Sequence, residues 1–390
     1  MRVPNVVNIL NPSISARALI SGDRNRQPVN LRQLAISRSL SASQVEYLVL
    51  NMRGREWRSL KRAAQDCFIE LCFNYWRLRG FPHYTMSDTQ IAKEYGRLAR
   101  TTRHRILLGD EIQIAMTGVK LANLFHPQMW SVQVKDAWSP KERFDDDVSL
   151  RKLIRHALLI WPERKATNDI NLRAMLRTFS RTTRVSNFRP TAAKVIYELF
   201  SNDGDTVIDF SAGYGGRLLG CLPLRRRYLG IDPCQQQIRG LSTMEATLTR
   251  IAPLRAKVEI RMGCAEDVLG SLPLGSASLV FSSPPYFDLE RYSDDQSQSY
   301  VRYPKYTEWL DGFLKRIIGG SHRVLKRKGY LALNVADSNG FPLIRDTKQL
   351  ATGKFDLVRT LKLRMPQKPY LRARNGSVHK YEDVFVFRKR

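Results

Sequence analysis

From residue 187 onward, short apolar runs end in Gly- or Pro-containing turns and give way to helical periodicity. That repeat constrains the fold more than any other feature of the chain. Thr206–Phe210 is a first strand that runs into glycines, and Tyr228–Asp232 is a second, followed by a helix from about Cys234 to Leu248. Lys257–Met262, Ala277–Ser282 and Tyr330–Val335 read as three further strands, with a helix over Trp309–Leu325 before the last. Glu382–Phe387 reads as a strand ending the sequence. Strands and helices alternating at this spacing predict a doubly wound α/β domain with a mainly parallel sheet. Ligands of such sheets sit outside the carboxyl ends of the strands, at the switch point.

The first half has a different texture. Ser43–Leu50, Leu60–Leu78, Ile112–Leu124, Leu150–Leu159 and Leu172–Phe179 place apolar residues three or four apart, which predicts helices and no strands. The division expected is a helical, basic region over 1–186, assigned to DNA or target recognition, and an α/β domain over 187–390. Asp145, Asp146 and Asp147 suit a helix N-terminus better than a metal site. Trp57, Phe73, Tyr75 and Trp76 lie among arginines and read as core residues with a charged outer face. Residues 87–96 have the Ala92–Gly96 spacing of a helix-turn-helix, with Arg97, Arg100, Arg103 and Arg105 where a recognition helix would follow. An ordinary helical hairpin is the other reading.

Charge narrows the partner. Of 390 residues, 64 are Lys or Arg and 36 Asp or Glu, a formal net charge of +28, and both halves carry the surplus. Such a field attracts phosphate polymers. No apolar run of about 18 residues is present to span a membrane, and the N-terminus lacks the pattern of a secretory signal. The five cysteines, with no CxxC pair, disfavour a disulfide framework and a zinc site and fit a reducing cytoplasm.

Two constellations carry chemistry. Asp209-Phe-Ser-Ala-Gly213-Tyr-Gly215 sits between strand and helix, where glycines let the backbone turn tightly beside a ligand. Asp232 ends the next strand, where a carboxylate can accept both hydroxyls of a ribose. Neither GxGxxG nor a GKS/GKT sequence is present. The stronger signal is Ser283-Pro284-Pro285-Tyr286, directly after the fourth strand. Consecutive prolines remove two donors and hold the carbonyls in a rigid loop. Ser283 Oγ and the Pro284 carbonyl are then two acceptors that could grip an aromatic amine. Tyr286 offers a stacking face for an extruded base.

The Gly-rich loop resembles the S-adenosylmethionine site of class I (Rossmann-like) methyltransferases. The tetrapeptide resembles motif IV, (D/N/S)PP(Y/F/W), of the amino-directed DNA methyltransferases, which make N4-methylcytosine or N6-methyladenine. The resemblance covers about 187–390 and takes in Asn187-Phe-Arg-Pro-Thr191, Tyr286–Ser293 and Val324–Tyr330. It implies cofactor contacts by Asp209, Ser211, Gly213, Gly215 and Asp232, and by Phe188, Arg189 and Thr191 at the methionine end. Cys264 stands where the family often has the adenine-binding acid, which leaves Ala265 or Asp267 for that contact. It implies catalysis by Ser283, Pro284, Pro285 and Tyr286 on double-stranded DNA with the target base flipped out, and no metal. Ser283 leans towards cytosine N4, with adenine N6 the alternative. A non-catalytic DNA-binding protein of the same fold is a rival from another class. Protein glutamine and ribosomal guanine are substrates of related Asn-Pro-Pro-Tyr enzymes. The Pro233-Cys234-Gln235 sequence is a decoy for a C5-cytosine nucleophile, because it follows the second strand and not the fourth. Arg372 and Arg374, in the basic stretch 362–380, are expected to hold DNA phosphates with Arg97, Arg100 and Arg103. A cytoplasmic setting, nucleoid-associated or phage-encoded, is expected. The recognition sequence and any nuclease partner of a restriction system stay open.

Overall fold

The computed structural model describes residues 41–133, 137–179, 185–289, 295–337, 340–365 and 380–390. They fall into two compact units: 41–83 with 137–179, and 84–133 with 185–390.

The first unit is helical. Ala42–Asn51, Arg62–Arg79, Asp147–Ile160 and Asp169–Thr178 are its main helices. Side chains cap them: Ser41 accepts from the Gln44 amide, Asp146 from Ser149 and Asn168 from Asn171. The acidic run is thus a helix start, as its sequence suggests. Trp57, Phe73, Tyr75 and Trp76 are all buried, and Trp76 Nε1 donates to the Thr167 carbonyl at 3.1 Å. Arg151 stacks over Phe73 at 3.5 Å while its guanidinium bonds Glu70. These aromatics are core, with arginines on the solvated face.

The second unit is a nine-stranded sheet in the order β1-β2-β8-β9-β7-β6-β3-β4-β5. In chain order it contains α1 (Asp88–Arg100), the hairpin β1 (Leu107–Leu108) and β2 (Glu111–Ile112), then α2 (Pro190–Phe200) and β3 (Thr206–Asp209). There follow α3 (Gly216–Cys221), β4 (Arg227–Asp232), α4 (Gln235–Ile251), β5 (Lys257–Met262), α5 (Ala265–Ser271) and β6 (Ala277–Ser282). α6 (Lys315–Val324), β7 (Leu325–Val335), α7 (Leu343–Thr352), β8 (Phe355–Met365) and β9 (Lys380–Lys389) complete it. Strands β5-β4-β3-β6-β7 are parallel and β9 runs antiparallel to both neighbours. This is a Rossmann-like, doubly wound α/β sheet, and the chain reverses direction of winding between β3 and β6.

Both faces of the central strands are covered, which is why β3, β4, β6 and the core of β7 read as continuous apolar runs. Val207, Leu279, Phe281, Ala332, Val384 and Val386 point into one core; Ile208, Val280, Leu331, Leu333, Phe385 and Phe387 point into the other. The period of two along each strand sets this partition.

Two features depart from the sequence expectation. The chain does not divide once, at 186–187: residues 84–133 belong with the α/β unit. Ile91, Tyr95, Leu98, Ile112 and Leu121 share a core with Val207 and Phe281, and β2 pairs in parallel with β8. The helix-turn-helix does not form either. α1 continues through Gly96, so Arg97 and Arg100 lie in its last turn and Arg103 opens a separate single turn, Arg103–Ile106. Capping by Ser87 and burial of Ile91, Tyr95 and Leu98 along one face favour the longer helix.

Candidate active site

The carboxyl ends of β3, β4 and β6 present residues that the sequence singles out, and that of β7 adds Asn334. Asp209 ends β3 and is fully buried. Its Oδ2 accepts from Arg217 Nε at 2.8 Å and from the Tyr228 hydroxyl at 2.9 Å, and its Oδ1 from the Ser282 hydroxyl at 2.7 Å. Burial and the adjacent carboxylate push the Tyr228 phenol well above its ordinary range, so it stays a donor. Asp209 is therefore the hub that joins β3, β4, β6 and α3, rather than a group presented freely to a ligand.

The loop after β3 is held from several sides. Ser211 N donates to Ser282 Oγ at 3.1 Å, Gly213 N to Asp232 Oδ2 at 2.9 Å, and Gly216 N to Asn187 Oδ1 at 3.0 Å. Asn187 Nδ2 in turn donates to the Tyr214 carbonyl at 2.7 Å. Gly213 has φ 54°, in the left-handed region, and a methyl group there would meet only the Ser211 carbonyl, at 3.6 Å. The loop is thus rigid below and open above Gly213, the shape of a cradle for a small ligand. Asp232 Oδ1 accepts from Cys234 N at 2.9 Å. Burial drives the Asp232 carboxyl up to about 6, against the restraint of the Cys234 and Gly213 amides.

The remaining cofactor candidates divide. Phe188 packs edge-on against Phe281, 5.5 Å between centroids, and under the Arg217 guanidinium, beside the loop. Arg189 Nη1 donates to the Gln113 carbonyl, with Nη2 buried and unpartnered among the described residues, and Thr191 Oγ1 donates to the Ala115 carbonyl at 2.8 Å, so the Thr191 hydroxyl is spent on the 113–115 segment. Ala265 opens α5, and the Asp267 oxygens are engaged by Arg302 at 2.9 Å and Arg316 at 2.8 Å.

Ser283-Pro284-Pro285-Tyr286 leaves the end of β6. Ser283 Oγ lies 3.2 Å from Arg217 Nη1 and 3.2 Å from Asn334 Oδ1, and the Tyr286 hydroxyl is 3.4 Å from the Asn334 carbonyl. Phe287 follows with φ 55°, an uncommon conformation for a bulky residue. It is held there by the rings of Phe341 at 5.1 Å, Tyr306 at 5.5 Å and Trp309 at 5.9 Å. Backbone strain of roughly 1–3 kcal/mol persists only where packing over-determines it.

Sequence reasoning missed Arg217, Ser282 and Asn334, and it quoted Asn187 within a motif without giving it a role. Asn334 had a signal: it is the lone polar residue of Leu331–Val335, and a buried amide in an apolar strand must find partners. Arg217 had none, because nothing local marks it as facing inward.

Residues 277–390 match the family model of DNA methylases of the N6/N4 type. The methylase match contains the tetrapeptide and Asn334 and begins after the Gly-rich loop and Asp232. No curated protein sequence matches the chain. Solved structures similar to it include TrmN from Thermus thermophilus, 14% identical, with a TM-score of 0.37 over 66% of this chain and 82% of that one. Precorrin-6y C5,15-methyltransferase from Geobacter metallireducens is 14% identical, with a TM-score of 0.31 over 52% and 88% of the two chains. The tRNA (m1A58) methyltransferase TrmI from Aquifex aeolicus is 9% identical, with a TM-score of 0.35 over 53% and 71%.

Proposed function

We propose that the protein transfers a methyl group from S-adenosylmethionine to the exocyclic amine of a DNA base swung out of the duplex, cytosine N4 first and adenine N6 as the alternative. The observation that carries this reading is the Ser-Pro-Pro-Tyr loop at the carboxyl end of β6, next to the switch point, with Ser283 joined to the Gly-rich loop through Arg217, which also bonds Asp209 and the Ser211 carbonyl. When bound, the cofactor supplies an electrophilic methyl on a sulfonium. Gly213 would leave room for it and Asp232 would accept from its ribose hydroxyls, whereas the space beside Gly215 is filled by Met244 and Leu241 of α4. Ser283 Oγ and the Pro284 carbonyl accept the two N–H bonds of the target amine. That grip draws the nitrogen lone pair out of conjugation and aims it along the line of displacement. Once methylated, the amine would release one proton to water. Tyr286 stacks on the base. Arg97 and Arg100, exposed on α1, and Arg103 are suited to phosphates; Arg372 and Arg374 lie outside the described residues. A restriction partner and a nucleoid or phage setting are not needed by this chemistry.

The test is incubation with methyl-labelled cofactor and plasmid DNA, then digestion to nucleosides. Label in N4-methylcytosine or N6-methyladenine is the expected result; label only in RNA or protein overturns it. Ser283→Ala should lower kcat by about 10²–10³, the scale of losing one preorganised partner, and leave DNA binding intact. A non-catalytic DNA-binding protein would show no label in either form.

Cofactor affinity should depend on pH through Asp232. Its carboxyl titrates near 6, and once protonated it no longer accepts from both hydroxyls of a diol. Affinity for S-adenosylhomocysteine, followed by calorimetry, should therefore weaken as pH falls through about 6. Asp232→Asn should bind more weakly at neutral pH and show little pH dependence. For stability the sign is the reverse. A carboxyl raised above its unfolded value favours the folded state at low pH, so without ligand the contribution of Asp232 to stability is lost as pH rises from its ordinary carboxyl range through about 6.

A further inference from the structure

A serine hydroxyl can both donate and accept, so by itself Ser283 cannot tell an amine from a carbonyl. Its surroundings remove that ambiguity. Arg217 Nη1, a donor only, points at Ser283 Oγ from 3.2 Å, and Asn334 Oδ1, an acceptor only, lies 3.2 Å away on another side. The orientation of the Asn334 amide is set by its other end, because Nδ2 donates to the Asp383 carbonyl at 3.0 Å across the β7–β9 pair. Asn334 is 3% exposed, so neither contact can be exchanged for water.

We infer that Ser283 is wired as an acceptor-only hydroxyl, its proton held by Asn334 and one lone pair by Arg217, and that this wiring makes the site choose an amine over a carbonyl edge. The second lone pair is the one left for substrate among the described residues. An N4 or N6 amine offers it a proton. The O4 of uracil or the O6 of hypoxanthine would set acceptor against acceptor unless Ser283 abandoned Asn334. Asp209 neutralises Arg217, 2.8 Å away, so the fork directs Ser283 without adding net charge where the attacking amine becomes cationic. The inference rests on the methyl-transfer reading. It adds Asn334 and Arg217 as positioning residues that act through Ser283.

The experiment uses the full chain with S-adenosylhomocysteine. Two duplexes are compared: one with the target base found in the nucleoside digest, the other with its carbonyl counterpart, uracil for cytosine or hypoxanthine for adenine. The wild type should favour the amine duplex by on the order of 10–100-fold, because a mismatched polar pair stays unsatisfied in the site. Asn334→Leu frees the Ser283 proton and should reduce that preference to about 3-fold or less, with S-adenosylhomocysteine affinity within about 3-fold of wild type. Asn334→Asp keeps an acceptor for Ser283 and should retain more of the preference than the Leu variant, which covers the case in which Leu disturbs β7. An unchanged preference in Asn334→Leu, or equal loss in both variants, overturns the wiring while leaving the methyl-transfer reading intact. A wild-type digest without any methylated base overturns that reading instead.

Discussion

Arg217→Met is expected to lower the unfolding free energy by about 3–5 kcal/mol, the scale measured when one partner of a buried ion pair is removed. The Arg217 side chain is 7% exposed and Asp209 not at all, so water cannot replace the guanidinium. The carboxylate keeps Tyr228 and Ser282 as donors but has no countercharge. The Ser211 carbonyl loses its side-chain donor as well. Urea denaturation followed by circular dichroism gives the value directly. Asp209→Asn combined with Arg217→Met removes both charges and should recover about half of the loss, because replacing a whole buried pair is far less costly than breaking it. Equal loss in the single and double variants would show that Arg217 acts by packing alone. The single variant should also lose activity beyond its loss of fold, since Ser283 no longer has a donor at its Oγ.

Gly216→Ala should reduce cofactor affinity by about 100-fold. A methyl group on Gly216 would sit 1.9 Å from the Phe188 carbonyl oxygen and 2.4 Å from Asn187 Oδ1. Both belong to the segment that holds the loop, so either α3 or residues 187–188 must shift by an ångström or more. Displacement of that size in a positioned site costs about two orders of magnitude. The matched control is Gly319→Ala in α6, where nothing lies within 4 Å of the new methyl group. There alanine should stabilise by up to about 1 kcal/mol by restricting the unfolded chain. Thermal melts with and without S-adenosylhomocysteine separate the two: Gly216→Ala should lose the ligand-induced shift, and Gly319→Ala should keep it.

The parallel strands were legible because both their faces are buried, so β3, β4, β6 and the core of β7 appear as apolar runs between turn residues. Strand β8 was not singled out. Its sequence, Phe355–Met365, alternates with exposed charged residues, as a strand near the sheet edge does, and blends into the basic stretch that follows. The β1–β2 hairpin was invisible for another reason. Two-residue strands carry no periodicity, and only pairing of Glu111 and Ile112 with Lys362 and Leu363 makes them strands.

The candidate site divides along the same line. Ser283-Pro-Pro-Tyr and the Gly-rich loop are contiguous motifs whose chemistry is local: proline fixes a carbonyl, and glycine permits a turn, wherever the rest of the chain lies. The sequence by itself therefore determined the parallel part of the sheet, the loop, the tetrapeptide and the charge that suits a polyanion. What Asp209 and Ser283 do depends on partners 8 to 73 residues away. Only the tertiary structure brought Arg217, Ser282 and Asn334 to them, because the direction of a hydrogen bond is set by what surrounds a side chain and not by its neighbours in sequence.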